Sequence, residues 1–309
     1  VVQNLVTLTV DGPVAQNEIC YITTGGDRLM AEVLKVVGSD VFVQVFESTR
    51  GLKVGAPAEF TGHMLEVTLG PGMLSKNYDG LQNDLDKMDG VFLKRGQYTY
   101  ALDDDRKWEF KPLAKVGDKV KASDWLGAVE ENSQPLKIMV PFQQKGVCTV
   151  KSIAKEGEYT IKDTIAVLTD EQGNDVEVNM IQRWPVKVAM TNYVDKPRPF
   201  KLLETGVRVI DTVNPIVEGG TGFIPGPFGT GKTVLQHAIS KQAEADIVII
   251  AACGERANEV VEIFTEFPEL IDPHTGRKLM ERTIIIANTA NMPVAAREAS
   301  VYTAMTMAE

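Results

Sequence analysis

The stretch Gly-Pro-Phe-Gly-Thr-Gly-Lys-Thr, residues 226–233, decides the fold of the second half of this chain. It satisfies every defined position of the pattern Gly-x-x-x-x-Gly-Lys-Ser/Thr, a phosphate-binding loop that joins a strand to a helix. Glycine tolerates left-handed backbone angles, so successive amides of such a loop can point inward at a phosphate. The pattern therefore predicts a nucleoside triphosphate site. A glycine-rich turn before a helix is the plain alternative.

The residues on both sides of the loop favour the phosphate-binding interpretation. Residues 222–224 lead in as a short apolar strand, and residues 232–243 place apolar side chains on one helical face. Lys232 would reach the β and γ phosphates, and the Thr233 hydroxyl would bind Mg²⁺. The predicted nucleotide-binding residues are Gly226, Pro227, Phe228, Gly229, Thr230, Gly231, Lys232, Thr233 and Val234.

Composition and charge restrict the class of protein. The 309 residues are 44% hydrophobic, which is enough for more than one core. No apolar run reaches the length of about 18 residues that suggests a membrane span, and the N-terminus lacks a signal-peptide pattern. The cysteines are three in number and far apart, as in a reducing compartment. A net charge of −10 argues against nucleic acid as a partner. We expect a cytoplasmic protein, or one on the cytoplasmic face of a membrane.

Patterning divides the chain into domains. Residues 1–70 alternate short β-rich runs with turn signals, which predicts a small β-barrel or sandwich. Gly-Pro-Gly then breaks the pattern, and residues 71–92 are assigned to a connection into the nucleotide-binding domain. Strand-like runs return over residues 93–185 and predict an inserted β-rich domain. Residues 186–309 alternate strands and helices, as an α/β phosphate-loop domain does.

A second polar motif follows an apolar run. Residues 246–252 are typical of a parallel strand covered on both faces, and Cys-Gly-Glu-Arg follows at 253–256. Ligands of open α/β sheets bind at the carboxyl ends of strands, so we expect Glu255 to face the γ-phosphate and to orient the attacking water. The spacing alone leaves open a surface ion pair between Glu255 and Arg256.

One expected group is missing from the sequence. Phosphate-loop enzymes hold Mg²⁺ through a second residue, an Asp at the end of a downstream apolar strand. Here Asp246 precedes its strand, Asp272 lies in a turn, and the next strand ends in Asn288. Too few residues follow Thr233 to complete a sheet covered on both faces. We therefore expect an N-terminal fragment of a longer protein, and one that does not turn over alone.

Several blocks resemble those of one family, the catalytic A subunits of vacuolar and archaeal-type rotary ATPases, in the form also found in some bacteria. They are Gly-Pro-Gly-Met-Leu at 70–74, Gly-Val-Arg-Val-Ile-Asp-Thr at 206–212, Cys-Gly-Glu-Arg at 253–256 and Asn-Met-Pro-Val-Ala-Ala-Arg-Glu-Ala-Ser at 291–300. The β-rich insertion resembles the family's bulge domain, which the related F-type catalytic subunits lack. The resemblance covers essentially the whole chain.

The resemblance implies a multidomain fold, with an N-terminal β-barrel, an inserted β-rich bulge domain and an incomplete α/β P-loop domain of RecA type. It implies ATP or ADP with Mg²⁺ as ligands, and Lys232, Glu255 and Arg256 as catalytic residues. In that family Glu255 would polarise the hydrolytic water, and Arg256 would position the γ-phosphate and Glu255. The implied partners are a non-catalytic B-type subunit in an alternating hexamer, a central rotor shaft, peripheral stalk subunits and a membrane sector that moves H⁺ or Na⁺.

Two other functions stay open. A hexameric nucleic-acid translocase or a protein-export ATPase could share the core, although the acidic charge and the lack of a basic, aromatic-laced stretch argue against nucleic acid. A non-hydrolysing nucleotide-binding assembly module would keep the loop without turnover. Replacing Lys232 by Ala and Glu255 by Gln separates nucleotide binding from hydrolysis.

Overall fold

The structure is a computed structural model that describes residues 1–88, 95–191, 198–227 and 229–309. The predicted binding residue Phe228 lies outside the described residues, as does the predicted domain boundary between residues 92 and 93.

Five antiparallel strands form the N-terminal domain, in the order β1-β4-β3-β2-β5. They are β1 (Leu5–Thr9), β2 (Glu18–Thr24), β3 (Asp27–Val37), β4 (Asp40–Val45) and β5 (Ala58–Met64). Successive side chains of a strand point to opposite faces, so Val41, Val43 and Val45 are buried while Phe42 between them is exposed. The sheet curls around these valines, and Val6 of β1 and Phe60 of β5 contact the same core.

The β-rich insertion is a sandwich of two antiparallel sheets. After β6 (Glu66–Leu69) and β7 (Asn77–Tyr78), its strands are β8 (Lys107–Pro112), β9 (Lys119–Val120), β10 (Trp125–Glu131), β11 (Gln134–Met139), β12 (Cys148–Ile153), β13 (Gly157–Thr160), β14 (Ala166–Thr169), β15 (Asp175–Val178) and β16 (Gln182–Pro185). The two sheets have the orders β11-β10-β8-β13 and β15-β14-β12-β9, and β16 returns to pair with β6. Leu126 of one sheet packs with Val150 and Leu168 of the other.

A small parallel sheet forms the α/β domain, in the order β17-β18-β7. Its elements are α1 (Arg208–Val213), α2 (Lys232–Gln242), β17 (Val248–Glu255), α3 (Ala257–Glu266), β18 (Thr283–Thr289) and α4 (Val294–Ala308). Ile284 and Ile286 pack with Ala304 of α4, and we call this side the α4 face. Ile285 packs with Val260 of α3 on the opposite side, the α3 face. A strand buried on both faces explains the unbroken apolar run of β18.

One predicted element is wrong. Residues 222–224 precede the loop without forming a strand, and the side chain of Phe223 is 86% exposed. The stretch is three residues long between Gly222 and Pro225, and proline has no amide to donate to a neighbouring strand. In the described residues no strand pairs with it. Helix α2 therefore has no buried residue, and its Val234 is 71% exposed.

No helix in the described part of the chain has the length and the apolar character that a membrane span requires.

Candidate functional site

The glycine-rich loop turns into helix α2 through left-handed backbone angles. Gly229 has φ of 78° and Gly231, the N-cap residue of α2, has φ of 82°. Side chains other than glycine rarely adopt these angles. In the described residues no side chain caps the helix, so its first amides point out of the N-terminus without a side-chain acceptor. Amides and helix dipole together make an anion-binding end.

The loop folds around the ammonium group of Lys232. Its Nζ donates to the carbonyl oxygens of Gly226 at 2.5 Å and Pro227 at 3.2 Å, and Thr230 Oγ1 donates to the same Pro227 oxygen at 2.7 Å. A Cβ on Gly226 would lie 2.5 Å from Thr230 Oγ1, which is closer than real contacts allow. A larger residue at this first position would thus displace the Thr230 hydroxyl, and the curl of the loop places the Lys232 ammonium against its carbonyl oxygens.

Two carboxylates face the start of α2. Glu255 ends β17, Arg256 occupies the N-cap position of α3 without a side-chain cap bond, and Glu259 lies in the first turn of α3. Thr233 Oγ1 donates to Glu259 Oε2 at 3.2 Å, and the Glu255 carboxyl group is close enough to that of Glu259 for its pKa to respond to it. Thr233, Glu255 and Glu259 line a cleft of about 210 Å³ between α2, β17 and α3.

The electrostatics of this cleft favour a proton on Glu255. Partial burial raises its pKa first, and the charge of Glu259 and the hydrogen bond to it raise the pKa further. Lys232 and Arg256 oppose this shift with their positive charges. Two adjacent carboxylates repel each other when both are ionised, so a cation at the cleft would favour loss of the proton.

The structure brings most of the sequence-predicted site residues together. Thr233 and Glu255 line one cleft, and Lys232 and Arg256 are near enough for their charges to act on the pKa of Glu255. The exposed Val234 lies on the first turn of α2.

Sequence reasoning missed Glu259. The available signal was its spacing of four residues from Glu255 across the junction of a strand with a helix, where the first turn of the helix folds back beside the strand end.

Comparison with protein families agrees with this architecture. Residues 4–62 match the ATP synthase alpha/beta family, beta-barrel domain. Residues 99–187 match the ATP synthase alpha/beta subunit barrel-sandwich domain, and residues 206–309 match the nucleotide-binding domain of the same family. The predicted fold class is confirmed: an N-terminal β-barrel, a β-rich insertion and an incomplete α/β nucleotide-binding domain.

Similar proteins include V-type ATP synthase alpha chains of bacteria. That of Treponema denticola is 54% identical over 309 residues, which are 99% of this chain and 52% of the relative. That of Borrelia hermsii is 54% identical over 312 residues, covering 100% and 54%, and that of Borreliella burgdorferi is 51% identical over 309 residues, covering 99% and 54%. The chain spans about half the length of the curated relatives it matches. By its three domains and these relatives, the chain belongs to the ATP synthase alpha/beta family.

Proposed function

We propose that this chain belongs to the catalytic subunit of a V-type rotary ATPase, which hydrolyses or synthesises ATP and couples that reaction to H⁺ or Na⁺ transport across a membrane. One observation carries the proposal. Thr233 of the phosphate loop and the carboxylate of Glu255, at the carboxyl end of β17, line a single cleft, and the charge of Lys232 acts on that carboxylate. The names of the most similar relatives support the same activity.

The loop supplies the groups that hold a polyphosphate. The amides that begin α2 and the dipole of this helix attract the phosphate oxygens. The Lys232 ammonium has three N–H donors and uses two of them on the carbonyl oxygens of Gly226 and Pro227. In the described part of the loop its third donor has no acceptor, so this donor and the charge could act on the β and γ phosphates, where negative charge develops during phosphoryl transfer.

The donor atoms beside the loop fit Mg²⁺. Thr233 offers a hydroxyl oxygen and Glu259 a carboxylate oxygen, 3.2 Å apart, and hard oxygen ligands are those that Mg²⁺ prefers. The charge of Glu259 raises the pKa of Glu255, and a divalent cation bound beside the two carboxyl groups would relieve their repulsion. When bound, Mg²⁺ would neutralise charge on the β and γ phosphates.

Glu255 is the residue that would act on water. Its carboxylate accepts a hydrogen bond from the attacking water, orients it toward the γ-phosphate and can take up its proton, since the pKa of this group is raised. The positive charge of Arg256 lowers the same pKa and so favours the ionised, accepting form. Arg256 would also position the γ-phosphate.

We extend the proposal to the assembly. The catalytic subunit would alternate with a non-catalytic B-type subunit in a hexamer around a rotor shaft, with peripheral stalk subunits, on the cytoplasmic face of the membrane that holds the ion-translocating sector. An arginine supplied by the neighbouring subunit would complete the charge stabilisation of the transition state. Nucleic acid is not among the proposed partners, because the net charge of −10 disfavours it.

The test compares two variants in the full-length protein within its complex. Lys232→Ala should abolish ATP binding, whereas Glu255→Gln should keep ATP binding and slow hydrolysis about 100-fold or more, the scale of a lost general base. Lys241→Ala, on the same helix as Lys232, and Glu262→Gln, exposed on α3, are the matched controls and should behave as the wild type.

Three results would decide against the proposal. Normal hydrolysis by Glu255→Gln would show that the assigned carboxylate is wrong. Tight nucleotide binding with no turnover by the wild-type complex would indicate an assembly module. Salt-dependent affinity for single-stranded nucleic acid would indicate a translocase.

A further inference from the structure

The side chain of Glu255 lies on a face of the sheet that simple alternation does not predict. Along β17, Ile249 contacts the cluster on the α4 face, and Ile250 and Ala252 contact the cluster on the α3 face. Side chains of a strand alternate with period two, so residues 251, 253 and 255 should all follow Ile249 to the α4 face. Glu255 instead lines the cleft that it shares with Glu259 of α3 and Thr233 of α2.

A β-bulge at Gly254 causes this change of face. Residues from Val248 to Cys253 pair one to one with β18, but the next pair joins Glu255 to Thr289, so Gly254 has no partner in β18. Gly254 has φ of 83°, in the left-handed region that favours glycine. One extra residue moves every following side chain to the opposite face, and bulges next to active sites often redirect a side chain in this way.

Hydrogen bonds fix the chain on either side of the bulge. Before it, Cys253 pairs with Asn288, whose Nδ2 donates to the carbonyl oxygen of Ala296 in α4 at 2.9 Å, so this pair marks the α4 face. After it, the amide of Ala290 donates to the carbonyl oxygen of Glu255 at 2.8 Å and holds the strand end in its shifted register. The backbone is thus held before the bulge by its pairing with β18 and after it by the residue that follows β18.

Arg297 of α4 packs against the bulge from behind. A Cβ on Gly254 would lie 3.0 Å from Arg297 Cδ and 3.4 Å from one of its terminal nitrogens. The Nε of Arg297 is buried and has no hydrogen-bond partner in the described part of the chain. The aliphatic stem of this arginine therefore touches the backbone one residue before Glu255, on the side away from the phosphate loop.

We propose that the bulge at Gly254, supported by the stem of Arg297, is the device that presents Glu255 to the phosphate loop, so that Arg297 is a positioning residue for ATP hydrolysis. The inference rests on the proposed function. It adds a specific dependence of the hydrolysis rate on packing in α4, a helix on the opposite face of the sheet from Glu255.

A double-mutant cycle in the full-length protein within its complex tests the proposal, with kcat, KM and nucleotide Kd as readouts. Gly254→Ala should lower kcat about 100-fold, the scale of an ångström-sized displacement of a catalytic group, while Kd stays within about twofold because the loop around Lys232 is unchanged. Arg297→Ala should lower kcat about tenfold in the same way. Arg297→Met keeps the length of the stem without its charge and should restore most of the activity.

The combined variant carries the sharpest expectation. Alanine at position 297 makes room for the methyl group added at Gly254, so the loss in Gly254→Ala/Arg297→Ala should be smaller than the product of the two single losses. Gly173→Ala is the control for backbone strain, because Gly173 has φ of 85° and no atom within 4 Å of an added Cβ. Its kcat should equal that of the wild type.

The possible failures are distinguishable. Independent, multiplicative losses would refute contact between the bulge and Arg297, and Arg297→Met as impaired as Arg297→Ala would show that charge and not packing matters. A parallel rise of Kd and KM with the fall of kcat would indicate general damage and would also overturn the inference. A wild-type complex that neither binds nor hydrolyses ATP would refute the proposed function itself.

Discussion

Gly80 of the connecting segment packs tightly on the α/β domain, and Gly80→Ala should destabilise the protein. An added Cβ would lie 2.3 Å from Asn288 Nδ2, 2.5 Å from Ser300 Oγ and 2.7 Å from the carbonyl oxygen of Ala296. The two side chains cannot simply turn away, because Asn288 donates to Ser300 Oγ and to the Ala296 oxygen and both residues are buried.

The size of the effect follows from these contacts. Inserting a methyl group into a packed interior costs about 1–3 kcal/mol. Displacing the segment also lengthens the bond from Thr303 Oγ1 to the Gly80 carbonyl oxygen, which is 2.7 Å long and worth about 1 kcal/mol. We expect a loss of about 3 kcal/mol in the free energy of unfolding of this domain, and a fall of roughly 5 °C or more in its melting temperature.

Thermal and urea unfolding of the full-length protein measure this loss. Gly157→Ala is the matched control, because an added Cβ there has its nearest contact at 3.5 Å, with the ring of Tyr159, and the backbone angle is ordinary. The control should change the melting temperature by about 1 °C or less. If Gly80→Ala has the same melting temperature as the control, the close packing of the connecting segment on α4 is not what stabilises this junction.

Two further predictions concern titratable groups. Glu259→Gln should lower the pKa of Glu255, because burial raises that pKa first and the charge of Glu259 and its hydrogen bond raise it further. Titration of the carboxyl carbons by NMR measures the pKa of Glu255. An unchanged value in the variant would contradict the assigned cause. Burial opposes ionisation of Asp272, but hydrogen bonds and the Arg282 guanidinium at 3.1 Å hold its pKa below the usual value. The ionised Asp272 therefore stabilises the fold above about pH 4, and this stabilisation is lost as the pH falls through the lowered pKa. Asp272→Asn should lower the free energy of unfolding at pH 7, measured in urea, by about 3–5 kcal/mol, and this free energy should then fall less steeply as the pH is lowered. An unchanged stability would refute the importance of the buried pair of Asp272 and Arg282.

Local patterns carried the parts of the fold that were predicted correctly. The barrel strands follow from period-two burial, as in Val41, Val43 and Val45, and the nucleotide-binding domain follows from the loop at 226–233 and the apolar run before Cys253. These signals lie within windows of a few residues, so they need no knowledge of neighbours. The strand at 222–224 was predicted wrongly, because a local window does not show whether a partner strand is present. A strand exists only if a second strand pairs with it, and in the described residues none does.

The order of residues by itself determined which chemical groups are available to the proposed phosphate site, namely the glycines, Lys232 and Thr233 of the loop and a glutamate at the end of an apolar run. Only the tertiary structure decided where the glutamate points and what lies beside it. Alternation along β17 would direct Glu255 away from the loop. Gly254 has no partner in β18, and this extra residue places Glu255 on the face where Glu259 lies. The bulge is visible only in the register of β17 with β18. Register is a property of two strands together, and a single strand's sequence does not contain it.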